Sequence, residues 1–206
     1  ASSWITSKGF DYIYAEHDGY RRYADPVTHG RAVFFAKPDY WVIVDRLEGH
    51  GEHSVEMFFH TPFEEYELDD SKKIFRAQDF AIIPLSPDDL NVSVCRGEEE
   101  GMQGWFSPCY GIKQPSTTLT YSFTAELPRV MVTLLDASNL INDAGLSSDM
   151  EGLVIDIELE SSRDKLVFNW RSDRQTARAD LGTDAKVVYL RTDNSSGDVT
   201  RVALEA

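Results

Sequence analysis

The chain has 206 residues, 35 of them acidic and 20 Lys or Arg, for a formal charge of −15. That balance excludes a general nucleic-acid binder, whose affinity rests on a cationic surplus, and a content of 42% hydrophobic and 12% aromatic residues excludes a disordered chain. No stretch approaches the roughly 20 consecutive apolar residues of a membrane-spanning helix, so neither nucleic acid nor membrane is expected as a partner.

Taken in chain order, the apolar residues alternate with a period of two, and helical periodicity is nearly absent. Ala32 to Ala36 and Trp41 to Val44 are strand-sized apolar runs. Val55, Met57 and Phe59 share one strand face, with His53 at the end of the stripe, while Ser54, Glu56, Phe58 and His60 share the other. The same alternation recurs at Leu119, Tyr121 and Phe123, at Val130, Val132 and Leu134, through Leu153 to Leu159, and at Leu166, Phe168 and Trp170. Turn signals separate these runs: Lys37-Pro38-Asp39, Glu48 to Gly51, Asp69-Asp70-Ser71, Ser86 to Asp89, Ser161 to Asp164 and Asp193 to Gly197. Only Ala137 to Met150, rich in Asn, Gly and Ser, breaks the pattern, and it predicts a long loop with room for one helical turn. The expected fold is all-β, a large antiparallel two-sheet β-sandwich forming a single domain over residues 1–206.

Cys95 and Cys109 are too few for a disulfide scaffold and lack paired-ligand spacing, so their pairing stays open. The chain opens Ala1-Ser2-Ser3-Trp4, with no Met, basic n-region or apolar h-region, which predicts a natural start that was processed away or lies upstream. All five histidines fall in the first third, beside Tyr20, Arg21, Arg22, Arg31 and Asp45. Their spacing matches no short zinc motif. No phosphate-binding Gly-rich loop or Gly-x-Ser-x-Gly elbow occurs, which disfavours nucleotide and esterase chemistry. Tyr12, Tyr14, Tyr20, Tyr23, Tyr40, Trp41, Trp105 and Tyr110 offer flat rings with a polar edge, on which sugars can stack or around which a core can pack.

His17-Asp18-Gly19-Tyr20-Arg21-Arg22, Pro26 to Val33, Tyr40 to Gly49 and Glu52 to His60, followed by Gly104 to Ser107 and Glu126 to Leu135, resemble the β-rich half of heparinase II/III-like polysaccharide lyases. The resemblance implies the C-terminal β-sandwich portion of a longer enzyme whose upstream α/α-toroid and His-Asn-Thr segment would precede Ala1. Such enzymes cleave uronic-acid polysaccharides by β-elimination, outside the cell or in the bacterial periplasm. The resemblance implies an acidic polysaccharide and the toroid as partners, with Tyr20, Arg21 and Arg31 contacting substrate. It further implies zinc in the intact enzyme, with His17 matched to one ligand and the others upstream, so that the isolated fragment binds none and is inactive alone. Any positive potential is expected to be local, around Arg21, Arg22 and Arg31. A non-catalytic carbohydrate-binding domain and a structural support for the toroid are the alternatives.

Overall fold

The computed structural model describes residues 3–86, 89–149, 151–170, 176–178, 181–183 and 185–204. Its strands begin with β1 (Ser3–Thr6), β2 (Phe10–His17), β3 (Thr28–Ala36), β4 (Tyr40–Glu48), β5 (Glu52–Thr61), β6 (Glu67–Asp69) and β7 (Ile74–Ala77). They continue with β8 (Phe80–Pro84), β9 (Asn91–Arg96), β10 (Trp105–Phe106), β11 (Gln114–Pro115), β12 (Thr117–Glu126), β13 (Arg129–Asp136) and β14 (Ile141–Asp149). The last are β15 (Gly152–Leu159), β16 (Ser162–Asn169), β17 (Thr176–Arg178), β18 (Leu181–Thr183), β19 (Val187–Asp193) and β20 (Val199–Leu204). A 3-10 turn, Gly19–Arg22, joins β2 to β3.

Every pairing is antiparallel, as the alternation predicts. A central sheet runs β1-β2-β3-β4-β13-β8-β7-β6, a three-stranded sheet runs β5-β12-β9, and a five-stranded sheet runs β14-β15-β16-β19-β20. The sandwich therefore carries a third layer. Even-numbered positions of β3, β4 and β13, among them Phe34, Val42, Val44, Val132 and Leu134, pack against Leu153, Ile155, Ile157, Leu166 and Phe168 of the five-stranded sheet. From the other face, Leu47 and Met131 pack against Met57, Leu119, Tyr121 and Phe123 of the three-stranded sheet. Rings such as Phe34 and Phe168, at 0% and 2% exposure, each contribute about 2–3 kcal/mol of apolar burial.

Of the loop expected at Ala137 to Met150, residues 137–140 do form a bend, but Ile141–Asp149 is strand β14, paired with β15, and Met150 lies outside the described residues. The register shifts between Ile141 and Asp143. A bulge there breaks the period of two, because Ile141, Ala144 and Leu146 all face the core. Asn142, Ser147 and Ser148 stay exposed because β14 is an edge strand. The turn expected at Ser161 to Asp164 is tighter, since β16 already starts at Ser162 and Asp164 is fully buried. Of the Ser86 to Asp89 signal, Pro87 and Asp88 lie outside the described residues. Cys95 and Cys109 are free thiols. No helix among the described residues is long and apolar enough to cross a membrane.

Gly152 shows how closely β15 and β16 approach. A Cβ there would lie 2.0 Å from the carbonyl oxygen of Phe168 and 3.2 Å from Asn169 Cα. Backbone on both sides has no rotamer with which to yield. Gly152→Ala is expected to lower stability by about 2–3 kcal/mol, read as a drop in the urea unfolding midpoint with an unchanged slope. An unaltered midpoint would contradict this packing.

Candidate functional site

Leu47, on the odd-numbered face of β3 and β4, packs against the three-stranded sheet, and beside it on that face the side chains become polar. His29 and Arg31 project from β3 beside Asp45 of β4, with Arg31 and Asp45 directly opposite in register. Arg31 grips the carboxylate with two prongs: Nε donates to Asp45 Oδ1 at 2.6 Å and Nη2 to Oδ2 at 3.0 Å. His29 Nε2 lies 2.6 Å from the same Oδ1. An ionised carboxylate only accepts, so this nitrogen carries the proton and Nδ1 keeps its lone pair when the ring is neutral.

The Asp45 side chain is 4% exposed and that of Arg31 is 47% exposed. Burial pushes the Asp45 carboxyl up, but hydrogen bonds from His29 and Arg31, reinforced by their charges, outweigh it and hold the group below the usual carboxylate value. The arrangement keeps a buried anion paired while leaving the far edge of the guanidinium toward solvent.

These residues wall a cleft of about 420 Å³ whose other side is β5, from His53 to Phe58. Its floor is apolar, with Val27, Leu47, Met57, Leu127 and Met131, and Tyr20 lines it from the 3-10 turn. The Tyr20 ring is 49% exposed, stacks on Tyr23 and takes the edge of His17, with centroids 5.4 Å apart. Gly19 makes room for that imidazole: a Cβ would lie 2.5 Å from His17 Cε1. His53 Nε2 lies 3.0 Å from the carbonyl oxygen of His50 and 3.2 Å from Asp25 Oδ2.

Tyr20 and Arg31 thus share one cleft, with His17 beside Tyr20. Arg21 is elsewhere. Its Nε donates to Thr28 Oγ1 at 3.0 Å, and it lines a separate groove with Thr28 and Arg46, which leave the opposite face of the same strands. Arg22 lies over the Tyr23 ring. Among the aromatic candidates, Tyr12 and Tyr40 are core residues, whereas Tyr20, Tyr23 and Tyr110 are exposed. Asp45 stood in the cluster named from the sequence but was given no role there. Its signal was an acid placed directly after the apolar run Trp41 to Val44, on the same strand, where a carboxylate is buried only when paired. Among the described residues no three His, Cys, Asp or Glu side chains converge as a metal's donor set would. Among the described residues, His17 belongs to no such group.

Comparison with known proteins completes the picture. Residues 3–171 match the family Heparinase II/III-like, C-terminal. A search of curated protein sequences finds no match. Among solved structures, the chain is similar to the heparinase III BT4657 gene product, with a TM-score of 0.63 and 17% identity over 82% of this chain and 27% of that one. It is also similar to heparan sulfate lyase HepC from Pedobacter heparinus, with a TM-score of 0.59 and 13% identity over 99% of this chain and 28% of that one. The chain therefore spans about a quarter of these relatives' length. With the family matched over most of its residues, the chain belongs to the family Heparinase II/III-like, C-terminal.

Proposed function

We propose that this chain is the β-sandwich part of a lyase that cleaves uronic-acid-containing, heparan- or alginate-like polysaccharide by β-elimination, with an upstream helical toroid completing the cleft. The observation that carries the reading is Arg31, gripped by buried Asp45 from one side and half-exposed on the other, in one cleft with the exposed phenol of Tyr20. In the elimination a base removes the C5 proton, the C4–O4 bond breaks, a C4–C5 double bond forms, and an acid protonates the departing O4. No water is added. The Arg31 guanidinium pairs with the uronate carboxylate, which favours charge building up at C5. The Tyr20 hydroxyl offers a hydrogen bond at the mouth of the cleft. His29 and Asp45 hold Arg31 in place. Of the acids behind the −15 charge, Asp45 and Glu56 line this cleft beside Arg31, and at about 0.15 M salt the fields of the more distant ones decay over about 8 Å.

The test is made in the longer protein that carries this chain, following unsaturated uronate by its ultraviolet absorbance on heparan, alginate and related polymers. Arg31→Ala is expected to lower kcat/KM at least about tenfold, with Tyr20→Phe losing less. No product from any uronate polymer would sink the lyase reading. Unchanged kinetics in both variants would leave the sandwich as a support for the toroid. Cleavage of so large a polymer places the enzyme outside the cell or in the periplasm under this reading.

A further inference from the structure

Back to back with Arg31 and Asp45, on the face of β3 and β4 turned toward the five-stranded sheet, lies a second cavity of about 220 Å³. It shares those two strands with the cleft but no lining residue. Tyr12 and Tyr14 of β2 wall it together with Phe168 and Trp170, in and just after β16, and Arg46 and Lys186 supply two cations. A Cβ at Gly30 would lie 2.8 Å from the Tyr14 hydroxyl, so the missing side chain leaves that phenol its place.

In a chain whose acids outnumber its Lys and Arg by 15, no Asp or Glu is among the described residues that line this cavity. Two acids act on the lining from beside it. Glu48 pairs with Arg46 Nη2, and Glu16 accepts the Tyr14 hydroxyl at 2.8 Å. Glu48 is half-exposed, so solvent screens its hold on the guanidinium, whose central carbon lies 4.9 Å from the centroid of the Trp170 ring. Burial, and then the bond to Glu16, push the Tyr14 phenol up, and it adds no charge of its own at neutral pH. Asn169 also lines the cavity, but its amide donates to the Ala185 carbonyl at 2.7 Å. A ring carrying many hydroxyls would therefore find few partners here, whereas a flat apolar ring meets π faces.

We propose that this cavity binds a small aromatic carboxylate, with its ring between the aromatic walls and its carboxylate on Arg46 and Lys186. The size agrees: at about 30 Å³ per water it holds about seven waters, the space of one six-membered ring with a carboxylate. Arg46 supplies the planar, charge-assisted contact, and Lys186, which is exposed, adds a weaker one at the rim. The inference does not depend on the lyase reading of the Arg31 cleft.

Chemical-shift titration of this chain with benzoate, acetate and glucuronate tests it. Benzoate is expected to move the Trp170 indole N–H and the Gly30 amide saturably, with acetate and glucuronate at least about tenfold weaker. Arg46→Gln is expected to weaken benzoate about tenfold, with an unfolding midpoint close to the parent's, and Trp170→Leu to weaken it as well. Arg31→Ala should bind benzoate as the parent does. Glucuronate binding as tightly as benzoate would overturn the aromatic assignment. Benzoate binding that survives Arg46→Gln but is lost in Arg31→Ala would put the ligand in the cleft and overturn the second site, as would the absence of any saturable shift.

Discussion

Asp164→Ala is expected to destabilise the domain by about 3–5 kcal/mol, seen as a large fall in the chemical unfolding midpoint. Asp164 is 0% exposed and takes four hydrogen bonds. Tyr40 donates to Oδ2 at 2.5 Å and Tyr189 at 3.0 Å, while Arg191 contributes Nε to Oδ1 at 2.8 Å and Nη2 to Oδ2 at 2.7 Å. Arg191 Nη1 also reaches Asp39 Oδ2 at 2.8 Å. The carboxylate is thus the knot between the central sheet, through Tyr40 and Asp39, and the five-stranded sheet, through β16 and β19. Burial, and then the neighbouring Asp164 charge, raise the Tyr40 phenol well above its ordinary value, so it is a donor at neutral pH. Removing the acceptor would leave two phenols and a guanidinium without their partner, which is why the cost exceeds that of an ordinary hydrogen bond. Arg163→Ala provides the contrast one residue away. Its partner is Glu158, both side chains are about half-exposed, and the expected change is within about 0.5 kcal/mol. Equal effects at positions 163 and 164 would refute the assignment of the knot.

Asp45→Asn is expected to cost about 2 kcal/mol at neutral pH, less than a fully buried pair because Arg31 is half-exposed. The substitution also leaves a pH signature. Because the folded carboxyl titrates below its unfolded value near 3.9, its stabilisation is complete above about pH 4 and is lost as the pH falls through the lowered folded value. The gap between parent and Asn variant should therefore be widest at neutral pH and shrink as the solution is acidified through that window. A gap constant down to pH 2 would mean that the ionised carboxylate contributes nothing. In the longer protein the same variant should also raise KM, since Arg31 loses its fixed anchor, and Asp45→Glu should recover little because the longer side chain displaces the bidentate grip.

The period of two marked β5, β12, β13, β15 and β16, and apolar runs marked β3 and β4, whereas β2, β7, β8, β19 and β20, which also bury core residues, were not singled out. Leu153, Ile155 and Ile157 point inward together, as do Leu119, Tyr121 and Phe123. The third layer was harder to read, because alternation describes one face of one strand. Leu47 and Val44, three residues apart on β4, face different sheets. Strand β14 was missed for two local reasons: its residues favour turns and exposed positions, and its bulge shifts the alternation midway, so only pairing with β15 makes it a strand. In the site, the sequence offered His17, Tyr20, Arg21 and Arg31 as neighbours in number. Strand geometry divides them, because Arg21 follows the 3-10 turn to Thr28 on the far face while Arg31 stays on the cleft side with Asp45.

The order of strands in the central sheet has a consequence for how the chain acquires its shape. β4 lies between β3 and β13, and Tyr40 pairs with Asp136, 96 residues later. Everything between them, including the whole three-stranded sheet, forms the intervening excursion. The central sheet cannot close until β13 has been made, so folding depends on a distant pairing and is slow compared with that of proteins built on local contacts. Until closure, β3 and β4 present apolar surface on both sides with nothing to cover it, the condition under which partly folded chains aggregate. The −15 charge then acts before the native state exists, keeping unfinished sheets of neighbouring chains apart while each waits for its thirteenth strand.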